Sequence, residues 1–171
     1  MPPPPAADPV ALVDAAALAH AGTSIERRFT IEELPRVREV GARNASVAAH
    51  LDFVEFDGQP AIRGKLEGSI ELQCQRCLES VTVGLDEGFQ VLLVDAERDD
   101  EPGGYEPVIA DAARLDVCWL VEEQALLAIP LVPMHAAGLC EKRGAVRADE
   151  GKVEDGRQKP FANLRDMLRE R

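Results

Sequence analysis

The strongest constraint on the fold of this 171-residue chain is a change to two-residue periodicity near its middle. In the stretch "SVAAHLDFVEF", apolar Val47, Leu51 and Phe53 alternate with polar neighbours, and "AIRGKLEGSIELQC" repeats the alternation in part. The letters "DGQP" between these runs indicate a turn, and "ESVTVGLDEGFQVLLV" adds a third run rich in β-branched residues. Because alternation places one set of side chains on each face of a strand, the middle of the chain is predicted to form an antiparallel meander.

Helix signals precede the meander. Asp8 as an N-cap and Gly22 as a C-terminal stop predict a helix from about residue 9 to residue 20. A shorter helix is predicted to begin at Pro35, since proline is well suited to the first helical position, and to end before Gly41.

A third helix is predicted after the meander. Asp116 is a suitable N-cap for the apolar run of residues 117–129, which prolines then terminate. Only Glu122, Glu123 and Gln124 interrupt this run, so the sequence predicts a buried helix with one narrow polar stripe facing solvent.

These elements predict an α+β fold. An antiparallel β-sheet, either an open meander or a barrel-like version of it, packs against one buried helix, with helical segments before it and a flexible tail after it. The length suits one core. We expect a disordered start over residues 1–7, one domain over residues 8–140, a charged disordered linker over residues 141–158 and a short amphipathic helix over residues 159–171.

The charge balance limits the kind of partner. The chain has 31 acidic and 19 basic residues, a net charge of −12. This argues against a wide phosphate-binding face and favours a basic protein partner, while a limited contact with RNA stays open. No export signal or long apolar segment is visible, so we expect a cytoplasmic protein with reduced thiols.

The motif "CQRC" allows three interpretations. Cys74 and Cys77 are a redox dithiol, half of a metal site, or small residues at a turn. The following "LESVTV" is typical of a strand, so neither thiol gains the helix N-terminus that activates a thioredoxin-type site. A zinc site would use Cys74 and Cys77 with His135 and Cys140 from "PMHAAGLC". Cys118 is predicted to be a core residue.

No catalytic set is visible in the sequence. His20, His50 and His135 are each expected to be solvated by default, and none of them is paired with a nucleophile in the sequence. Adjacent helix residues do not converge on one point, so Glu122 and Glu123 are interpreted as a solvent-facing stripe. The sequence therefore predicts a protein that is not an enzyme.

The last residues predict a partner-binding helix. In "FANLRDMLRER", Phe161, Leu164 and Leu168 form an apolar face, and Arg165 lies among several basic residues. A helix this short is marginal in water, so it needs a surface on which to dock. We expect that surface to belong to a partner, with these four residues making the contact.

The order of these features resembles the YceD family, the large ribosomal RNA subunit accumulation proteins of bacteria and chloroplasts. The resemblance rests on the hairpin "LQCQRCLESVTV", the "YEPV" after an acidic loop, the helix "LDVCWLVEEQALLAIPLVPMH", Cys140 and the terminal "KPFANLRDML". Family members often have further cysteines after the second proline-containing loop. This chain has His135 and Cys140 there.

The resemblance implies a cytoplasmic, non-enzymatic factor that supports synthesis, processing or stability of large-subunit ribosomal RNA. Its partner would be a large-subunit precursor, contacted through a basic ribosomal protein or ribosomal RNA. Two alternatives stay open: a thiol oxidoreductase using Cys74 and Cys77, and a nuclease acting on precursor RNA. A helix directly after Cys77 would favour the first, and a carboxylate cluster around a divalent metal would favour the second.

Overall fold

A computed structural model describes residues 12–97, 100 and 102–140. The chain divides into two compact units, residues 1–136 and residues 137–171. The described part of the second unit is residues 137–140, in which Gly138 adopts a φ of 86° and Cys140 is buried. The predicted start at residues 1–7, linker at 141–158 and helix at 159–171 lie outside the described residues.

The described helices and strands all belong to the first unit. The strands are β1 (Leu12–Val13), β2 (Ser24–Thr30), β3 (Asn44–Phe56), β4 (Gln59–Gln73), β5 (Ser80–Val94), β6 (Glu106–Ile109) and β7 (Leu115–Asp116). The helices are α1 (Ala15–Ala21), α2 (Pro35–Glu39) and α3 (Val117–Ala128). Helix α3, at 12 residues, is the longest, and none of the described helices has the length and apolar character needed to cross a membrane.

The main sheet has the order β2-β3-β4-β5-β6. Its neighbours are antiparallel except β5 and β6, which run parallel. Strands β1 and β7 form a separate two-stranded antiparallel ribbon. The α+β class and the meander of β3, β4 and β5 are confirmed. The barrel-like version is wrong for the described strands, because β2 and β6 leave the sheet open at both edges.

A two-residue turn fixes the register of the long β3–β4 hairpin. Asp57 and Gly58 have φ values of 54° and 77°, and Phe56 pairs with Gln59 directly across the turn. Positive φ at both central residues is the type I′ arrangement that Asp-Gly favours and that matches strand twist. The turn predicted at "DGQP" is confirmed, and only its first two residues form the loop.

The core lies on one face of the sheet. Phe53, Ile62 and Val91 lie opposite one another across β3, β4 and β5, and all three are buried. Neighbouring residues on each strand point to the other face, where a second cluster forms. Its buried members are Ala61, Leu92, Val94 and Tyr105. At this end the sheet is therefore covered on both faces.

The first predicted helix begins later than expected. Residues 12–13 form β1, which pairs with β7, and Asp14 is the actual N-cap, accepting a 2.8 Å hydrogen bond from the backbone N–H of Ala17. The predicted stop at Gly22 is confirmed, with φ 61° in the left-handed region. The short helix from Pro35 is confirmed as α2.

Helix α3 begins where predicted, because the Asp116 side chain accepts a 3.1 Å hydrogen bond from the backbone N–H of Trp119. The prediction of a solvent-facing polar stripe is wrong for Gln124, which is 9% exposed, and for Glu122, which is only 4% exposed. Its carboxylate accepts hydrogen bonds from the backbone N–H groups of Arg36, at 2.6 Å, and Val37, at 3.2 Å. Glu123 is partly exposed and forms an ion pair with Arg36.

Candidate metal centre

The two close cysteines lie in the loop of residues 74–79, between the ends of β4 and β5. The loop is closed by two backbone hydrogen bonds, from Leu78 to the Cys74 carbonyl at 2.9 Å and from Cys74 to the Glu79 carbonyl at 2.8 Å. Cys74 is completely buried and Cys77 is partly buried. The predicted hairpin position is confirmed, and the motif leads into strand β5 and not into a helix.

The tight loop requires an unusual backbone conformation at Leu78. This residue has a φ of 62°, in the left-handed region that glycine normally occupies, and its side chain is exposed. A non-glycine residue there costs about 1–2 kcal/mol because its Cβ crowds the following carbonyl. The loop thus holds strain at the residue directly after Cys77.

The segment after α3 brings His135 to this loop. The backbone N–H of Gln75 donates a 2.9 Å hydrogen bond to the Pro133 carbonyl, and Arg76 Nη2 lies 3.7 Å from Met134 Sδ. These contacts place His135 Nδ1 3.4 Å from Cys77 Sγ.

His135 is oriented by the backbone of β5. Its Nε2 lies 2.9 Å from the carbonyl oxygen of Ser80. A carbonyl oxygen only accepts, so Nε2 donates this hydrogen bond and Nδ1 is the ring nitrogen that faces Cys77. A hydrogen bond from the distal ring nitrogen is the usual way in which proteins fix a metal-binding histidine.

The surroundings of Cys74 favour its thiolate form. Burial alone raises the pKa of Cys74, but hydrogen bonds from the backbone N–H groups of Cys77, His135 and Arg76 and from the Cys77 thiol lower it to about 5. Thiolate sulfur is the form that binds metal ions. Backbone donors therefore compensate a buried negative charge at this position.

The donor set of the first unit fits zinc. The ligand atoms of Cys74, Cys77 and His135 lie within 4.8 Å of one another. Zinc is bound in proteins by cysteine sulfur and histidine nitrogen, and both are present in this group. This Cys/His group could hold a metal ion. Cys140, the fourth ligand predicted from the sequence, belongs to the second compact unit.

Cys118 lies apart from this group. It was predicted to be a core residue, and the structure places it partly buried, with its thiol donating a 2.9 Å hydrogen bond to the Glu33 carbonyl. Burial raises the pKa of Cys118 to about 11, and the charges of Asp116 and Glu122 add to the effect. It is therefore protonated and a poor ligand or nucleophile near neutral pH.

The remaining histidines pair with carboxylates at the surface. His20 lies 3.2 Å from Glu55, and His50 lies 3.2 Å from Asp52. The sequence did not reveal the groups that support the candidate ligands, because they are backbone carbonyls of Ser80 and Pro133. No residue type signals a carbonyl, so only the folded chain shows these contacts.

The fold and the site define a class of α+β proteins in which a hairpin-end C-x-x-C loop is held against a histidine-bearing segment. The chain belongs to the family of the Large ribosomal RNA subunit accumulation protein YceD, whose family model matches residues 62–168. The family expected from the sequence motifs is thereby confirmed.

A curated relative supports this assignment. The Large ribosomal RNA subunit accumulation protein YceD of Haemophilus influenzae (strain ATCC 51907 / DSM 11121 / KW20 / Rd) is 36% identical over 92 residues. The aligned region is 52% of this chain and 53% of the relative, so the chain spans about half the length of the relative that it matches. No solved structure matches the chain.

Proposed function

We propose that this protein is a cytoplasmic, non-enzymatic assembly factor that supports the accumulation of large-subunit ribosomal RNA. It acts by binding a large-subunit precursor, through a basic ribosomal protein or a limited stretch of ribosomal RNA. The observation that carries the proposal is the family match over residues 62–168. The net charge of −12 supports a basic partner, because opposite charge speeds and orients association.

We also propose that Cys74, Cys77, His135 and Cys140 hold one zinc ion. Cys140 is proposed from the sequence, as a cysteine five residues after His135. A zinc ion with four protein ligands has no open position for a substrate. Its contribution is a cross-link, by which the four side chains fix the hairpin loop and the segment after α3.

The C-terminal segment is proposed as a second contact with the partner. Phe161, Leu164 and Leu168 would supply an apolar face, and Arg165 would meet acidic surface or phosphate. These residues lie outside the described part of the chain, so this proposal rests on the sequence pattern.

The proposed function is tested by removing the protein from cells. A clean deletion strain should show a lower ratio of large-subunit to small-subunit ribosomal RNA, and a plasmid copy should restore the ratio. A tagged chain should cosediment with large-subunit precursors on a sucrose gradient. An unchanged ratio together with sedimentation of the chain only at the top of the gradient would rule the proposal out.

A further inference from the structure

An open pocket lies beside the candidate metal centre. It has a volume of about 410 Å³ and is lined by the C-terminal end of α2, the end of β4 and the segment after α3. Its apolar walls include Val40, Leu72, Leu126, Ile129 and Leu131. The pocket is thus built where three elements meet and not inside the main core.

The apolar walls are unusually exposed. Val40 is 55% exposed and Leu131 is fully exposed, although both are large apolar side chains. Beyond the pocket, Val132 and Met134 on the same segment are also exposed. Contiguous exposed apolar surface with a polar rim is typical of protein interaction sites, because its burial on binding removes apolar area from water.

The polar side of the pocket is cationic. Arg43, Gln73 and Gln75 line it, and none of the described residues that line it carries a carboxylate. Arg76 follows Gln75 in the hairpin loop. Neither arginine forms an ion pair with any carboxylate in the described ranges. In a chain of net charge −12, two arginines without such partners beside an apolar pocket indicate an acidic occupant.

The metal-ligand residues adjoin one wall of the pocket. Gln75 lines the pocket and its N–H is bonded to the carbonyl of Pro133, which also lines the pocket. His135 lies two residues further on and contacts Cys77. A group that fixes His135 therefore also fixes the segment that carries Leu131.

We propose that this pocket docks a short segment of a partner protein that carries an apolar anchor side chain next to acidic residues. The anchor fills the space between Val40, Ile129 and Leu131, and a carboxylate meets Arg43. This inference rests on the proposed function as an interaction module and identifies one of its binding surfaces. The described residues that line the pocket include none of the aromatic side chains on which proteins commonly stack RNA bases, and this favours a peptide occupant.

The test uses the full chain as bait for a phage library of random 12-residue peptides, with Leu131→Asp as the counter-selection bait. Leu131 is fully exposed, so the variant should fold normally, as circular dichroism would verify. The selected peptides should share an apolar residue flanked by Asp or Glu. Enrichment of basic peptides, or no enrichment over the Leu131→Asp bait, would overturn the proposal.

The charge contact is then measured by fluorescence anisotropy with the strongest selected peptide. Arg43→Glu should weaken binding about tenfold or more, since a charge-assisted contact becomes a repulsion. Arg114→Glu, a charge reversal in the turn before β7, is the matched control and should leave affinity unchanged. Equal effects of the two reversals would show that only net charge matters and would contradict the proposed contact.

Two competing occupants give different results in the same assay. If the protein's own C-terminal segment fills the pocket, Phe161→Asp in the full chain should strengthen peptide binding. If RNA fills it, a 12-nucleotide single-stranded RNA should displace the peptide. Either result would overturn the proposal. Peptide binding is measured without ribosomes. If no peptide binds but the tagged chain still cosediments with large-subunit precursors, the pocket proposal fails and the proposed function does not.

Discussion

At the scale of single residues, Cys74 is the most specialised position in the described chain. It is fully buried, yet backbone N–H groups hold its pKa at about 5, whereas burial raises the pKa of Cys118 to about 11. The difference arises from the loop, which aims backbone donors at one sulfur. An anionic sulfur beside a second thiol and an imidazole is part of a Cys/His group that could hold a metal ion.

The purified chain is expected to contain one zinc ion, and Cys74→Ser should lose it, because a hydroxyl does not replace a thiolate ligand. Cys118→Ser is the matched control and should keep the metal. Elemental analysis of protein purified without chelators measures both. Equal zinc contents in the two variants, or no stoichiometric zinc in the unaltered chain, would return Cys74 and Cys77 to the role of small residues at a turn.

Leu78 allows a test of the strain in the loop. Leu78→Gly should raise the free energy of unfolding by up to about 1 kcal/mol, because relief of the left-handed conformation exceeds the entropy cost of glycine. Leu127→Gly is a matched control, since Leu127 is 66% exposed against 63% for Leu78 but lies in helix α3. Leu127→Gly should lower the free energy of unfolding by about 1 kcal/mol, because glycine is unfavourable inside a helix. Urea unfolding measures the free energy of unfolding of both variants. A decrease in both variants would contradict the strain at Leu78.

At the scale of elements, one carboxylate joins two helices. Helix α2 has Leu34 as its N-cap and no side-chain cap of its own. Glu122 of α3 accepts from the N–H groups of Arg36 and Val37 and so satisfies two of the donors left free at that end. Burial raises the pKa of Glu122, against the lowering effect of these two hydrogen bonds. The helices therefore pack together through this buried polar contact and through the ion pair of Arg36 with Glu123.

Glu122→Ala should lower the free energy of unfolding by about 1–3 kcal/mol, because two buried donors lose their acceptor. Glu122→Gln keeps an acceptor. The folded-state pKa of Glu122 is raised, so its protonation favours folding as pH falls through that pKa toward 4.5. The stability of the unaltered chain relative to Glu122→Gln should therefore increase on acidification. Urea unfolding across that pH range tests this, and a constant difference would contradict the buried charge.

The elements that the sequence did not reveal share a physical cause. Strand β2 contains Glu26, Arg27 and Arg28, and as an edge strand it buries only Phe29, so its alternation is masked by charge. Strand β6 is four residues long and depends on the neighbouring strand β5. Local patterns predicted the long hairpins and α3 well, because these elements carry their own periodicity. They did not predict pairings between short segments far apart in the chain.

The candidate site was likewise predictable only in its local features. The C-x-x-C spacing and the position of the hairpin end were visible in the sequence, and His135 was a reasonable candidate. The buried position of Glu122 was not, because its partners are backbone N–H groups in a helix 86 residues away from it in the chain. Interactions with backbone atoms leave no trace in residue types, so the sequence indicated candidate ligands but not the backbone groups that surround them.

At the scale of the whole molecule, acidic charge and local basic sites have separate roles. The net charge of −12 sets the long-range field, which attracts basic partners and repels extended nucleic acid. Arg43 and Arg76 act only at contact distance beside the pocket, because salt screens charges beyond about 10 Å. The contact proposed for the C-terminal residues would be of a third kind, since Arg165 is close in sequence to the apolar Leu164 and Leu168.

The final prediction concerns this C-terminal segment. A chain that ends at residue 157 should keep its melting temperature within about 2 °C, because a helix of about a dozen residues, as predicted from the sequence for the removed segment, contributes little folding energy by itself. It should nevertheless bind large-subunit precursors more weakly on sucrose gradients. The full-length variant Leu164→Asp with Leu168→Asp is the control for chain length and should show the same loss. Truncation could instead lower the melting temperature strongly while the remaining folded protein still cosediments. That result would show that the segment is part of the folded core. The partner would then not be contacted by Phe161, Leu164, Leu168 and Arg165.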